Sequence, residues 1–434
     1  MSNANKKSRQ NREGQVRHLP KNSWLYFILA VLLVYFLVFI GQPLSEGAWC
    51  LLNDYMGYYS AGQIMNTEGA SAVYDLDLLA EYQANLYLAC GHDPSNIETL
   101  AMLYLPVFFL PFQLLALVDY PVSVVFWIVI NFTILVFYLL FFTKELFGKR
   151  LSLQALIMVL VSIPVFRNFI HGQVNLLLLL AMGEFARALM ARKDVKAGLW
   201  LSGLMIKPQV LVLLVPFMLI QKKWKVLRSF LIAVVLMLGV SYLVVGWGGV
   251  IGFRDSILTA AKGGGSSHYE LMVNWRAVSY FIAQFSGLGL GRIVLIIGSL
   301  VTMAMTLIAF RKKIEVDSPL FMVALLGVTA ATTLVTYHIH THSAMILIPL
   351  LLYLNMNGTL SGKLLNFWFL TPSVFNFLQF MVGALVVLSI LPFNFAYFAN
   401  FPNGLVLFVL NLILLGWAIT QARTKEEESL MLSM

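Results

Sequence analysis

Apolar residues in this chain come in long runs separated by short clusters of Lys and Arg. The runs fall near 24–40, 101–118, 120–143, 151–166, 173–190, 197–220, 226–246, 290–310, 319–337, 344–356, 374–392 and 404–422. Many approach the ~20 residues that carry a helix across a bilayer. No series of short, evenly spaced alternating segments suggests a barrel. The pattern predicts an all-α polytopic membrane protein with about 11–13 transmembrane or half-membrane helices. The basic clusters KELFGKR (144–150), ARKDVK (191–196), QKKWKVLR (221–228) and RKK (311–313) all prefer the cytoplasmic side. Placing them there sends the turn RNFIHGQVN (167–175) and the cluster HIHTH (338–342) to the outside. It also requires 197–220 to be two short helices broken near Lys207-Pro208, because proline removes a backbone donor and disfavours helix just before it. One segment between 101 and 143 must then fail to cross.

The polar, basic stretch 1–23 reads as a cytoplasmic tail. The run from Trp24 is too long for a signal-peptide core and no small-residue cleavage site follows it, so it reads as a retained first helix. Residues 43–100 form a large first extracytoplasmic loop. Within it, YDLDLLAEYQANLYLA (74–89) places Leu76, Leu79, Ala80, Tyr82 and Leu86 near helical spacing, as an amphipathic interfacial helix would. Both cysteines, Cys50 and Cys90, lie in this loop, where a disulfide can form. A second outer loop, 247–289, carries GGGSSHYE (263–270) and NWRAVSYF (274–281), and reads either as a substrate gate or as a connector. No fixed-period repeat is present, so 24–422 is one membrane domain, followed by a cytoplasmic tail at 423–434.

Composition agrees with this reading: 60% of residues are hydrophobic and 11% charged. A net charge of +9 would suggest nucleic acid in a soluble protein. Here the positive residues follow the positive-inside pattern, so nucleic acid is not an expected partner, while membrane lipid is. No Walker loop, dinucleotide fingerprint or Ser-His-Asp arrangement is present, and no cofactor is expected.

Charges are costly near the bilayer, so those outside the cytoplasmic loops carry the chemical information. Asp54 lies in LLNDYMGYYSAG (51–62), where the first apolar segment has ended. Its carboxylate suits a general base, with Tyr58 and Tyr59 as a surface for a sugar or lipid; the plain alternative is a carboxylate capping the helix that starts beside it. In an extended segment, His338, His340 and His342 would line one side; in a helix only His338 and His342 share a face. No acid accompanies these histidines or the 167–175 turn, so no metal site is expected. A histidine of this cluster at the outer end of a helix suits a hydrogen bond to Asp54 or to a substrate phosphate, with a pKa near neutrality; interfacial histidines without a task are the alternative. Arg167, Lys207 and Arg276 suit an anion, although snorkelling toward headgroups is the alternative for any such cation. Lys207 lies within an apolar run. His171, with Gln173 and Asn175, offers neutral hydrogen bonds suited to hydroxyls.

Several pieces, in order, resemble glycosyltransferase family 87: ND-Y-YYSAG with AVYD (72–75), LYLPVFFLPF (103–112), RNFIHGQVNLLLL (167–179), AGLWLSGLMIKPQVLVLLVPF (197–217), NWRAVSYF and YHIHTHSAMILIPLLL (337–352). The resemblance implies a GT-C fold and a mannosyltransferase-like enzyme. It implies inverting transfer of a hexose from a polyprenyl-phosphate-sugar donor to a lipid or glycan acceptor. Asp54 matches the family's catalytic aspartate, His342 or His338 its histidine, and Arg167 and Lys207 its phosphate or cavity ligands. Thr336-Tyr337-His338 and Ser343 depart from the Ser-Pro-His and Asp of many relatives. Such an enzyme is expected in a bacterial cytoplasmic membrane, N-terminus inside and active site outside. A transporter or flippase for a lipid-linked or anionic substrate is the alternative, but it should show related halves or paired broken helices, and only the Lys207-Pro208 break is visible.

Overall fold

The computed structural model describes residues 23–41, 52–96, 99–261, 268–395, 398 and 401–431. Among them the regular structure is helical, and β contact is limited to an isolated bridge between Met272 and His340. The helices are α1 (Ser23–Gly41), α2 (Asn53–Thr67), α3 (Leu76–Ala89), α4 (Leu110–Leu115), α5 (Tyr120–Phe147), α6 (Leu153–Leu160), α7 (Ile163–Ile170), α8 (Asn175–Met190) and α9 (Asp194–Gly203). They continue with α10 (Leu214–Ile220), α11 (Trp224–Ala261), α12 (Trp275–Ser286), α13 (Leu288–Ala309), α14 (Pro319–Val335), α15 (Ile348–Met356), α16 (Gly362–Val387) and α17 (Gly404–Met431).

Six of these, α1, α5, α11, α13, α16 and α17, are long and apolar enough to cross a bilayer, and α6 with α7 forms an apolar pair bent by 54°. Four shorter apolar segments, 106–115, 208–220, 319–335 and 341–356, bring the set to the lower edge of the expected number. The protein is an all-α polytopic membrane protein. Between 101 and 143, α5 is long enough to cross, whereas α4, which follows a 3-10 turn at Pro106–Phe109, is too short to cross alone. The expected break at Lys207-Pro208 is present: Lys207 has φ −136° and ψ 81°, between 3-10 turns at Leu204–Ile206 and Pro208–Leu211.

Helix α14 lies at the centre, with every residue from Phe321 to Leu334 buried. A helix that is apolar all round is stable only where neighbours enclose it. Its hydroxyls turn inward on its own backbone, as Thr329 and Thr332 donate to the carbonyls of Leu325 and Val328 at 2.7 and 2.8 Å. Helices α11, α13 and α16 instead turn Leu243, Leu300 and Val387 outward. Lipid is as apolar as leucine, so burial alone does not bring such helices together, and packing and interhelical hydrogen bonds matter more. Asn411 of α17 is one such bond: it accepts from Trp368 Nε1 of α16 and donates to Thr333 Oγ1 of α14, both at 2.9 Å.

Two boundaries differ from the sequence expectation. Much of the expected outer loop 247–289 is helical, because α11 continues to Ala261 through a kink at Gly246 (φ 63°) and α12 follows at Trp275. Helix α16 begins at Gly362, before the expected 374, and holds Pro372 in its interior. The periodic segment in the first loop does form a helix, α3, capped by the Asp75 carboxylate, which accepts from the amides of Asp77 and Leu78 at 3.0 and 3.2 Å.

Helix α2 packs closely on α4 at Gly62, where an added Cβ would overlap the Phe112 carbonyl. Gly62→Ala is therefore expected to destabilise the fold by roughly 1–3 kcal/mol. The check is the Tm of the purified protein in detergent; an unchanged Tm would mean that this close approach is absent.

Candidate active site

The start of α2 carries Asp54 in its first turn, and its N-cap residue, Leu52, has no side chain able to cap. The free amides find a different acceptor. Asp54 N–H and Tyr55 N–H both donate to the His171 carbonyl, at 3.1 and 3.2 Å. Asp54 is therefore not a capping carboxylate, and its side chain remains partly accessible. The turn that supplies the carbonyl is held in return, since Trp127 Nε1 donates to the Gly172 carbonyl at 2.8 Å. Gly172 has φ 65°, and a Cβ there would lie 2.5 Å from Tyr55 Cβ. Glycine is required on both counts.

One helical turn beyond Asp54, Tyr58 points into a buried polar cluster. Its hydroxyl lies 2.7 Å from the Tyr104 hydroxyl and donates to Gln173 Oε1 at 3.1 Å. Gln173 Oε1 also accepts from Lys207 Nζ at 3.1 Å and Asn175 Nδ2 at 3.4 Å. The chain break at Lys207 delivers this ammonium: with no helix at that residue, it turns inward and is 7% exposed. Among the described residues Lys207 has no carboxylate within ion-pair distance, although the Asp54 charge reaches it, together with Tyr58, Tyr104, His171 and His338. Asn168 Oδ1 accepts from Asn175 Nδ2 at 3.2 Å and from its amide at 3.0 Å. Ser343 Oγ donates to Asn175 Oδ1 at 3.3 Å, tying the 167–175 turn to the histidine segment.

The segment is extended as far as His340 (φ −100°, ψ 168°), and the buried His342 lies in the 3-10 helix Thr341–Leu347 that follows. Ile339 and Thr341 are buried, while the rings of His338, His340 and His342 form a file, with centroids 4.7 and 5.4 Å apart. His171 meets this file at 6.1 Å from His342. Val273 N–H donates to the Ile339 carbonyl at 3.2 Å, which fixes the segment against the second outer region. Burial lowers the His171 imidazole to about 4, with the Asp54 charge opposing and Arg167 reinforcing. His338 keeps an accessible edge; enclosure of the rest of its ring, then Lys207 and Arg276, lower it to about 4. Both rings are neutral at pH 7 because burial penalises the cation, so His338 is not poised near neutrality as expected of a histidine in this cluster.

The structure thus brings together Asp54, Tyr58, His171, Gln173, Asn175, Lys207, His338 and His342. Arg276 stands at the edge, stacked over the Tyr337 and Tyr269 rings at 4.0 and 4.8 Å. Tyr59 turns away, donating to the Val118 carbonyl at 2.8 Å and packing on Tyr120. Arg167 donates instead to Asn376 of α16 at 3.0 Å. Tyr104 and Asn168 were not singled out in the sequence. Both lie in stretches that were, but a tyrosine before Leu-Pro and an asparagine inside a helical run look like packing residues until their partners are in place.

An apolar cavity of about 190 Å³ adjoins the cluster, sharing Tyr58 and Tyr104 and lined otherwise by residues such as Phe112, Trp127, Ile134 and Leu177. Ile134 and Leu177 are 37% and 41% exposed on the apolar flank of α5 and α8, so the cavity reaches toward the lipid side. Among the described residues no three His, Cys, Asp or Glu side chains are grouped to hold a metal ion.

Residues 102–337 match the model of a family described as glycosyltransferase family 87. The matched stretch includes Arg167, His171, Gln173, Asn175, Lys207 and Arg276; it begins after Asp54 and ends one residue before His338. No curated protein and no solved structure matches the chain.

Gly172→Ala is expected to destabilise the protein by roughly 2–4 kcal/mol, from the strained φ and the overlap with Tyr55, measured as a fall in Tm. An unfolded chain binds a proton at histidine near pH ~6.5, whereas folded His171 binds it only near 4. Its contribution is fully present above the unfolded value and is lost as pH falls toward the folded one. The Tm of wild type should therefore drop more steeply across that interval than the Tm of His171→Gln; parallel profiles would contradict the assignment.

Proposed function

The chain belongs to glycosyltransferase family 87, and from that membership in a family of membrane glycosyltransferases we propose that it moves a mannose-like hexose from a polyprenyl-phosphate donor to a lipid or glycan acceptor. Asp54 is the general base. The observation that carries this reading is the pairing of a partly accessible Asp54 with a buried Lys207 that, among the described residues, is bonded to the neutral amide of Gln173, beside an apolar cavity. A lipid-linked sugar phosphate matches all three parts. Its isoprenoid segment suits the cavity, its phosphate suits the Lys207 ammonium, and its anomeric carbon then lies toward Asp54.

In the reaction the acceptor hydroxyl gives its proton to an Asp54 carboxylate oxygen as its oxygen bonds to the anomeric carbon. The bond from that carbon to the phosphate oxygen breaks, and the electron pair leaves with polyprenyl phosphate. Lys207 meets the charge that develops there. Attack opposite the leaving group inverts the anomeric centre. His338 and His342 are neutral or enclosed groups suited to orienting hydroxyls by hydrogen bonds, and Tyr58 fixes the wall of the sugar pocket through Tyr104 and Gln173.

Placement on the outer face of a bacterial cytoplasmic membrane is supported by the helix ends. Helix α8 runs from Asn175 at the site to the basic loop at 191–196, and α14 returns from Pro319 beside that loop to the histidine segment. Arg192 pairs with Asp317, and Gln221 bonds the carbonyls of Phe310 and Lys312, so the basic loops gather at the end opposite Asp54. The positive-inside rule puts that end in the cytoplasm. Cys90 is disulfide-bonded, which fits an oxidising compartment for the first loop; Cys50, the other cysteine in the chain, lies outside the described residues.

Asp54→Asn is expected to lower kcat by about 10²–10⁴-fold while the donor still binds. The check is transfer from radiolabelled polyprenyl-phosphate hexoses to membrane acceptors, at matched protein level. Equal labelling by both proteins would remove Asp54 from the mechanism.

A further inference from the structure

At the end of the molecule opposite Asp54, two basic turns share one construction. Helices α8 and α10 finish in the same pair of bonds. Arg192 N–H and Lys193 N–H donate to the Leu189 and Ala188 carbonyls, both at 2.9 Å, and Lys222 N–H and Lys223 N–H donate to the Leu219 and Met218 carbonyls at 2.9 and 3.0 Å. This ending needs a left-handed residue just past the helix, a place that glycine usually takes. Here it holds Arg192 (φ 53°) and Lys222 (φ 54°), two of the three non-glycine residues with positive φ among the described residues. A long side chain is costly in that conformation. The helix dipole does not account for it, because Lys193 and Lys223, one position on, already bring a cation to each helix end.

The two turns are neighbours. Helices α9 and α11 start directly after them and touch, since a Cβ on Gly198 would overlap the Val226 carbonyl. Arg192 pairs with Asp317, and the Asp317 carboxyl is held below its usual value by that hydrogen bond and by the charges of Arg192 and Lys223. Buried Gln221 donates to the Phe310 and Lys312 carbonyls, each at 3.0 Å, and accepts from Ile314 N–H at 2.8 Å, which ties the 311–313 cations to the second turn. The four cations of the turns and the three at 311–313 thus face three carboxylates, Asp194, Glu315 and Asp317. Beside the turns Trp224, Val195 and Leu199 are 61%, 61% and 51% exposed, an indole and apolar edge of the kind found at headgroup level.

We propose that the paired turns hold the headgroup of an anionic membrane phospholipid that carries two phosphates, at a site separate from the transferase centre. Each turn presents two consecutive cations, so the pair matches two phosphates, and the exposed Trp224 and Leu199 meet the acyl chains. Glycine at the left-handed positions would relieve both turns and remove two of the four charges. Assigning the site to the cytoplasmic leaflet rests on the orientation proposed above; the binding itself does not.

The test is retention of lipid by full-length protein in phosphatidylcholine nanodiscs containing cardiolipin, read by native mass spectrometry, with inorganic pyrophosphate as soluble competitor and Tm measured in parallel. At about fivefold in affinity per basic residue at an anionic headgroup, four cations predict a preference for cardiolipin over phosphatidylcholine of about 10²-fold or more. Arg192→Gln with Lys193→Gln, or Lys222→Gln with Lys223→Gln, should each weaken retention by roughly 25-fold. Lys149→Gln with Arg150→Gln removes the same charge from the 144–150 loop and should leave retention unchanged. Lys222→Gly should weaken retention while Tm holds or rises, because strain leaves with the charge. Equal loss in the Lys149 and Arg150 control would mean diffuse attraction to the whole basic end. A fall in Tm with retention intact in Lys222→Gly would mean a role in folding alone, and displacement of cardiolipin by pyrophosphate would mean a site for a soluble anion. Each of these three results would overturn the proposal. No step of the measurement involves transfer, so failure of the Asp54 assay with cardiolipin retained would count against the reaction and leave this site standing.

Discussion

A single backbone oxygen, the carbonyl of His171, holds the functional end of the molecule together. It accepts the first free amides of α2, a helix whose own N-cap residue is a leucine and has nothing to offer them. Such amides carry the positive end of the helix and must be satisfied when buried. The carbonyl therefore sets the position of Asp54 relative to the turn that holds His171, Gln173 and Asn175. Every other contact in the site is referred to that junction, because Gln173 then meets Tyr58 from α2 on one side and Lys207 from the broken segment on the other.

The irregular backbone around this junction follows from the same requirement. Helices satisfy their own amides and carbonyls, and so present few polar groups to a substrate inside a membrane. The chain interrupts helix at Lys207, at the 171–174 turn and at 336–340, and these interruptions face one another. Each supplies a side chain that a continuous helix would have aimed at lipid or at a neighbouring helix. Gly172 and Pro208 are the residues that make two of these breaks possible without strain.

Much of this was legible in the sequence, and for identifiable reasons. Hydropathy marks the long spans because in lipid every backbone polar group must be satisfied within the segment, which an apolar helix does alone, and the Lys207-Pro208 break was visible as proline beside a charge in an apolar run. Asp54, His171, Gln173, Asn175, Lys207, His338 and His342 stood out because polar groups near lipid are rare, and they do converge. What was not legible depends on direction and partners. Tyr59 lies next to Tyr58 in sequence, but adjacent helical residues diverge by ~100°, and Tyr59 packs on Tyr120 instead. The apolar run was read from 374, yet α16 begins at Gly362 and carries Pro372 in its interior. Asn376 carried no signal at all, since an isolated asparagine in an apolar stretch discloses nothing until the guanidinium that it meets, 209 positions earlier, is in place.

The file of histidines has a property that concerns protons and not charge. The Nε2 atoms of His338 and His340 are 3.2 Å apart, facing each other. In two neutral rings that contact requires hydrogen on one Nε2 and a lone pair on the other. The first ring then presents a bare Nδ1 and the second a protonated one. Moving one hydrogen across the gap, with each Nδ1 adjusting, exchanges the two states without altering the net charge of the pair. The surface offered to a hydroxyl can therefore reverse from donor to acceptor while both rings stay neutral, so neither has to be ionised.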